Sequence, residues 1–194
     1  MILKVPSSFA ELKVGQLIEI NKLKDMETGI RKRVRLAEAL TRIDYETIIK
    51  MPMSALLEIE QACMFVFDEP QIKPIKTSYL IDGLYYEPIL DLSKATAGQY
   101  IDAKTIINTG NVVNDIHRLI SCFLIPRGKK YSIEVYEDTC NAVYKDMSVE
   151  DAYSLQVFFC KVFNLLTSDF QTYTVKETMD KALMTLHSKG IGGI

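Results

Sequence analysis

Val113, Ile116, Leu119, Ile120, Phe123 and Leu124 fall on one face at helical spacing, with polar residues filling most positions between them. That pattern predicts an amphipathic helix over 113–124. A looser version, Ile30, Val34, Ala37, Leu40 and Thr41, predicts a counterpart in the first half of the chain. Thr96-x-x-Gln99 is a capping box, because the threonine oxygen can accept the third backbone N–H while the glutamine reaches back to the cap. A helix is therefore expected to begin at Ala97. Lys13 holds the matching position in the first half and offers no acceptor. A third helix in each half starts near Ser54 and near Ser148, the latter with the box Ser148-x-x-Asp151. The first runs through Leu56 to Phe67 and the second through Leu155, Phe159, Val162, Phe163 and Leu166, and the aromatic ends of both look like core. A last helix opens on Thr174-x-x-Glu177, carries Val175, Met179, Ala182, Leu183 and Leu186 on its apolar face, and stops at Gly190.

Between the helical halves the period changes. Ile75 to Ile81 and Leu84-Tyr85-Tyr86 flank Asp82-Gly83, the dipeptide that supplies the positive φ angles of a two-residue hairpin turn. Asp68 to Pro74, with Pro70 and Pro74, forms the linker into it. Lys129 to Val135 alternates as well, and is expected to form a short strand or a second hairpin arm after Pro126-Arg127-Gly128.

The two halves also share phrases. Gly15-Gln16-Leu17-Ile18-Glu19 recurs as Gly98-Gln99-Tyr100-Ile101-Asp102, and Arg35-Leu36 recurs in the same register as Arg118-Leu119. Lys50-Met51-Pro52-Met53-Ser54 is echoed by Lys145-Asp146-Met147-Ser148, shifted by an insertion that fits around Pro126 to Tyr136. The expected architecture is mainly α with a small β-hairpin element (α+β), built from two related helical units. Residues 1–67 form the first unit and 68–90 the proline-containing linker and hairpin. Residues 91–194 form the second unit, with the inserted strand segment and the C-terminal helix.

Composition narrows the class without naming an activity. The 194 residues are 48% hydrophobic and 25% charged, which excludes intrinsic disorder and a disulfide scaffold, and the net charge of -2 gives no global field toward nucleic acid or membrane. Cys63, Cys122, Cys140 and Cys160 contain no C-x-x-C pair and read as reduced thiols. The opening residues lack a signal peptide's apolar stretch, so a cytoplasmic protein is expected. His117, near Asp115 and Cys122, has too few neighbouring ligands in sequence for zinc. No catalytic residue, cofactor or metal is expected.

Two groups of residues remain as candidate contacts. Arg31, Lys32, Arg33 and Arg35 form the one dense basic segment, which is either a solvated helix face or a contact with nucleic acid or an acidic partner. Tyr79, Tyr85, Tyr86, Tyr131 and Tyr136 crowd the two extended segments, where they serve either as core or as a protein-binding surface. The glycine-rich end is either frayed or a tail that docks Ile191 and Ile194 into a partner.

The string Glu11-Leu12, Gly15-Gln16, Ile18-Glu19 and Met51-Pro52-Met53-Ser54, then Asp82-Gly83 with Tyr85, then Asp91-Leu92 and Gly98-Gln99-Tyr100-Ile101-Asp102, resembles the tail-assembly-chaperone-like proteins of bacteriophages. The resemblance spans about Ser7 to Leu166. It implies a non-enzymatic protein that binds other phage structural proteins, tail or capsid components, during virion assembly in the host cytoplasm. The doubled Gly-Gln phrase departs from a single-unit pattern. It leaves open a structural, connector or internal cargo protein retained in the virion. A homo-oligomer is allowed, nucleic acid is disfavoured as a partner, and no membrane is expected.

Overall fold

A computed structural model of the chain describes residues 5–163. The expected helix from Thr174 to Leu186, its stop at Gly190, Leu166, and the tail residues Ile191 and Ile194 lie outside the described residues. The described residues up to Val157 form one compact unit, and those from Phe158 on belong to a second. The first unit therefore packs across positions 67 and 90, where the sequence places its divisions.

Four helical segments open the chain: α1 (Val14–Lys22), α2 (Ile30–Thr41), α3 (Tyr45–Ile48) and α4 (Met53–Ala62), followed by a 3-10 turn at Met64–Phe67. The strands β1 (Tyr79–Ile81) and β2 (Leu84–Pro88) come next, then a 3-10 turn at Leu92–Lys94, α5 (Ala97–Asn108), α6 (Ile116–Ser121), β3 (Leu124–Pro126) and α7 (Ile133–Asp146). Residues 149–157 are also helical and are called α8. Mainly α structure with a small β-hairpin is what the periodicities predict, and β3, which they do not predict, extends that hairpin into an antiparallel sheet of order β1-β2-β3. No helix among the described residues is long and apolar enough to cross a membrane.

The hairpin forms where Asp82-Gly83 places it. Both residues have positive φ, 47° and 74°, and Leu80 faces Tyr85 across the pair. Thr96 caps α5 as expected, accepting the Gln99 N–H at 3.3 Å while Gln99 Oε1 accepts the Thr96 N–H at 2.8 Å. The other end of the same side chain donates from Nε2 to the Cys122 carbonyl at 2.7 Å. Gln16 repeats this arrangement, accepting from the Lys13 N–H at 2.8 Å and donating to the Leu40 carbonyl at 2.6 Å. Each repeated glutamine thus ties the start of one helix to the end of the next, and both are buried.

The neighbouring glycines differ. A Cβ on Gly15 would lie 2.7 Å from Tyr144 Cε1 and 2.8 Å from the Tyr144 carbonyl oxygen, so only glycine lets α1 approach α7 this closely. The nearest atom to a Cβ on Gly98 is 3.9 Å away. Gly15→Ala is expected to cost about 1–3 kcal/mol through overpacking, and Gly98→Ala to leave stability unchanged or raise it by about 0.5–1 kcal/mol; urea midpoints of the two variants check the contrast.

One cluster of core residues joins Leu12, Val34, Ala37, Leu40, Ile48, Leu56, Ile59 and Cys63 to Val149 from the far end of the chain. An antiparallel bridge between Lys13 and Ser148 delivers Val149, with the Val14 N–H on the Met147 carbonyl at 3.1 Å and the Val149 N–H on the Leu12 carbonyl at 2.8 Å. Within the second unit, residues 158–163 are helical, Phe159 and Phe163 are buried, and the Phe158 ring meets Phe159 edge-on.

Three expectations are corrected. The helix expected over 113–124 is confined to Ile116–Ser121: Phe123 leaves it so that its carbonyl accepts the Ile89 N–H at 2.7 Å, and Leu124 begins β3. The alternating stretch from Lys129 to Val135 is not a strand but a loop and the first turn of α7, because Ser132 Oγ accepts the Val135 N–H at 3.2 Å and starts the helix. The helix expected from Ser54 to Phe67 begins at Met53 behind Pro52 and ends at Ala62, and Phe67 is 74% exposed rather than core. Ser148 does act as a cap, accepting the Asp151 N–H at 3.2 Å.

Candidate protein-binding surface

The sheet divides the candidate tyrosines by the alternation of a strand. Tyr79 and Tyr86, directly paired, point inward and are 4% and 3% exposed. The Tyr79 hydroxyl accepts the Lys76 N–H at 3.2 Å. Tyr85 points outward beside Leu80, and these two residues are 50% and 63% exposed. Leu84, at the turn, is also exposed. The Arg127 guanidinium lies 5.0 Å from the centre of the Tyr85 ring, its Nε donates to Glu87 at 2.6 Å, and its backbone N–H extends the pairing by donating to the Tyr85 carbonyl. Tyr131 and Tyr136 sit apart from the hairpin strands. Their rings meet edge-on at 6.2 Å, the Tyr131 hydroxyl donates to Asp102 at 2.9 Å, and Tyr136 hydrogen-bonds with Arg118. Burial raises the pKa of both phenols.

Beside the outward face of β2 and β3 runs a groove of about 770 Å³. Pro88, Ile89, Leu90, Ile125 and Pro126 supply its apolar lining, and Lys94, Arg127, Lys129 and Lys130 its cations. Its acids are engaged: Glu87 with Arg127, and Asp91 with the Ser93 N–H and hydroxyl and, at 3.8 Å, with Lys94. Tyr131 closes the groove on the side of the loop into α7. None of these cations was a sequence candidate. They come from stretches around residues 90 and 128, which only the pairing of β2 with β3 brings together.

The basic segment of α2 is mostly spoken for. Lys32 donates to the carbonyls of Lys24 and Met26, Arg33 forms a two-pronged pair with Glu60, and Arg35 pairs with Glu38 at 2.6 Å while lying 4.4 Å over the Tyr45 ring. Arg31 is exposed and has no partner among the described residues. Arg35 also borders a cleft of about 480 Å³ between α1, α2 and α7, where Arg42 Nη2 donates to the Lys145 carbonyl and the Tyr144 hydroxyl to Glu19.

A second exposed apolar stretch lies on α4 and the turn after it: Met53 and Leu57 share a helical face, and Met64 and Phe67 follow. The aromatic end at Phe67 reads as core in the sequence because Ala62 to Phe67 are all apolar, and burial cannot be told from exposure in such a run.

The thiols of Cys63, Cys122, Cys140 and Cys160 are all raised by burial, Cys63 to about 11, so they are protonated near neutral pH. Among the described residues no three His, Cys, Asp or Glu side chains gather as metal ligands. His117 packs edge-on against Tyr144 at 5.5 Å, with a buried Nδ1 that has no hydrogen-bond partner among the described residues. Burial lowers its pKa, opposed by Asp115 and aided by Arg118. The unfolded chain therefore binds a proton more readily, and the histidine's contribution to stability is complete above about pH 6.5 and is lost as the pH falls toward the lower native value. Melting temperatures from about pH 7.5 to about 5.5 are expected to fall more steeply for the native sequence than for His117→Phe, which keeps a ring against Tyr144 and cannot titrate.

No family model matches the chain, and no characterised protein or solved structure is detectably similar to it.

Proposed function

We propose that this is a non-enzymatic bacteriophage protein that binds other phage proteins during virion assembly, in the manner of a tail-assembly chaperone. The phage assignment rests on the resemblance of the Gly15-Gln16 and Gly98-Gln99 phrases and their neighbours to tail-assembly-chaperone-like proteins, and the observation that carries the protein-binding part is the hairpin. Leu80, Leu84 and Tyr85 are each at least half exposed within a single two-residue-turn hairpin, an arrangement that leaves apolar area for a partner to cover. The exposed side chains of Met53, Leu57, Met64 and Phe67 add to it. Covering such surface would let the protein shield or position an apolar segment of a tail or capsid component, with no covalent step.

Co-expression with the tail and capsid proteins of the same phage tests the reading. At least one is expected to co-purify, and Tyr85→Ala is expected to weaken that complex. Failure of every tail and capsid protein to bind would refute it. Proteomics of purified virions separates the two forms of the proposal: a chaperone is absent from mature particles, whereas a structural, connector or cargo protein is abundant in them.

A further inference from the structure

We propose that the groove along β2 and β3 takes an acidic segment of the partner, with apolar side chains seated on the groove floor and carboxylates on its rim. This rests on the protein-binding reading above and adds the chemistry of the occupant. The apolar floor, Ile89, Leu90 and Ile125 with Pro88 and Pro126, offers hydrophobic contact beside the uncharged polar groups of Thr77, Thr96 and Gln99. The rim carries four cations against two acids, and both acids are already held, Glu87 by Arg127 and Asp91 by Ser93 and Lys94. Lys129 and Lys130 are exposed with no side-chain partner among the described residues. The groove is thus locally positive on a chain whose net charge is -2, and charge complementarity selects a negatively charged partner.

The same features favour a peptide over nucleic acid. Single strands bind on exposed aromatic faces flanked by uninterrupted cations. In this groove the lining aromatic, Tyr131, has its ring against Tyr136 and its hydroxyl on Asp102, and Glu87 and Asp91 interrupt the positive rim. A segment alternating apolar and acidic side chains satisfies floor and rim together.

The test measures fluorescence anisotropy of a labelled peptide alternating Val and Glu with the full chain. Its Val and Lys counterpart and a single-stranded oligonucleotide serve as competitors, and Lys129→Glu/Lys130→Glu as the variant. Both lysines are exposed, so the variant is expected to fold, which its melting curve checks. The Val/Glu probe is expected to bind in preference to either competitor, to weaken with salt, and to lose about tenfold in affinity in the double variant. No binding of that probe, equal binding of the Lys peptide, preference for the oligonucleotide, or indifference to the double substitution overturns the proposal. A co-expressed virion protein that binds native chain and double variant equally overturns the groove while leaving the protein-binding reading intact. Groove-dependent peptide binding with no virion partner refutes that reading and keeps the groove.

Discussion

Tyr86→Ala is expected to lower folding stability by about 3–5 kcal/mol, the usual cost of emptying a buried aromatic site, while Tyr85→Ala stays within about 0.5 kcal/mol. The two residues are neighbours in sequence and identical in chemistry, and only the strand's alternation separates them. Tyr86 is 3% exposed, paired with Tyr79 on one side and Pro126 on the other, and its removal opens the layer between the sheet and the helices. Tyr85 faces outward under the Arg127 guanidinium, and its loss removes only a surface contact. Thermal melts of both variants, run beside the partner-binding assay, give opposite orders: Tyr86→Ala is the less stable, and Tyr85→Ala is the one that weakens a complex without unfolding. Equal melting temperatures would mean that the sheet does not use Tyr86 as core.

Gln99→Leu is expected to cost roughly 3 kcal/mol, because each buried backbone group left without a partner carries a penalty of about 1–3 kcal/mol. Leucine fills nearly the same space but can neither accept the Thr96 N–H nor donate to the Cys122 carbonyl. The loss is concentrated at two helix ends, where those groups have no partner of their own. Gln16→Leu repeats the experiment in the first half, at the Lys13 N–H and the Leu40 carbonyl. Denaturant unfolding gives the size of the effect. Hydrogen exchange gives its place: in Gln99→Leu the Thr96 amide is expected to lose protection. A cost below about 1 kcal/mol would show that water replaces the amide without penalty.

What could be read from the sequence was what short-range chemistry decides. Asp82-Gly83 fixes a hairpin because the positive φ angles of its turn suit that dipeptide, and Thr96-x-x-Gln99 fixes a helix start because both halves of the box lie within four residues. Phe123 and Leu124 were misplaced because a buried strand and the buried end of a helix have the same hydrophobicity. Tyr131, Ile133 and Val135 alternate like a strand, yet Val135, Thr139 and Val143 also repeat at helical spacing, and Ser132 decides in favour of the helix by capping it. The tyrosines could be recognised as a group, but their division into core and surface depends on strand register. The groove was not legible at all, since its floor and rim are brought together only by the pairing of Glu87 with Ile125 and its neighbours.

The bridge between Lys13 and Ser148 sets an order of events during synthesis. The first helices leave the ribosome long before Val149, which completes the cluster around Leu12 and Leu56. Until then the nascent chain displays an unfinished apolar face, the condition in which chains aggregate or recruit help. Closing it requires a contact between nearly opposite ends of the described chain, and such long-range closure is slow. Stop codons placed before Val149 are accordingly expected to yield aggregating fragments rather than a smaller folded protein.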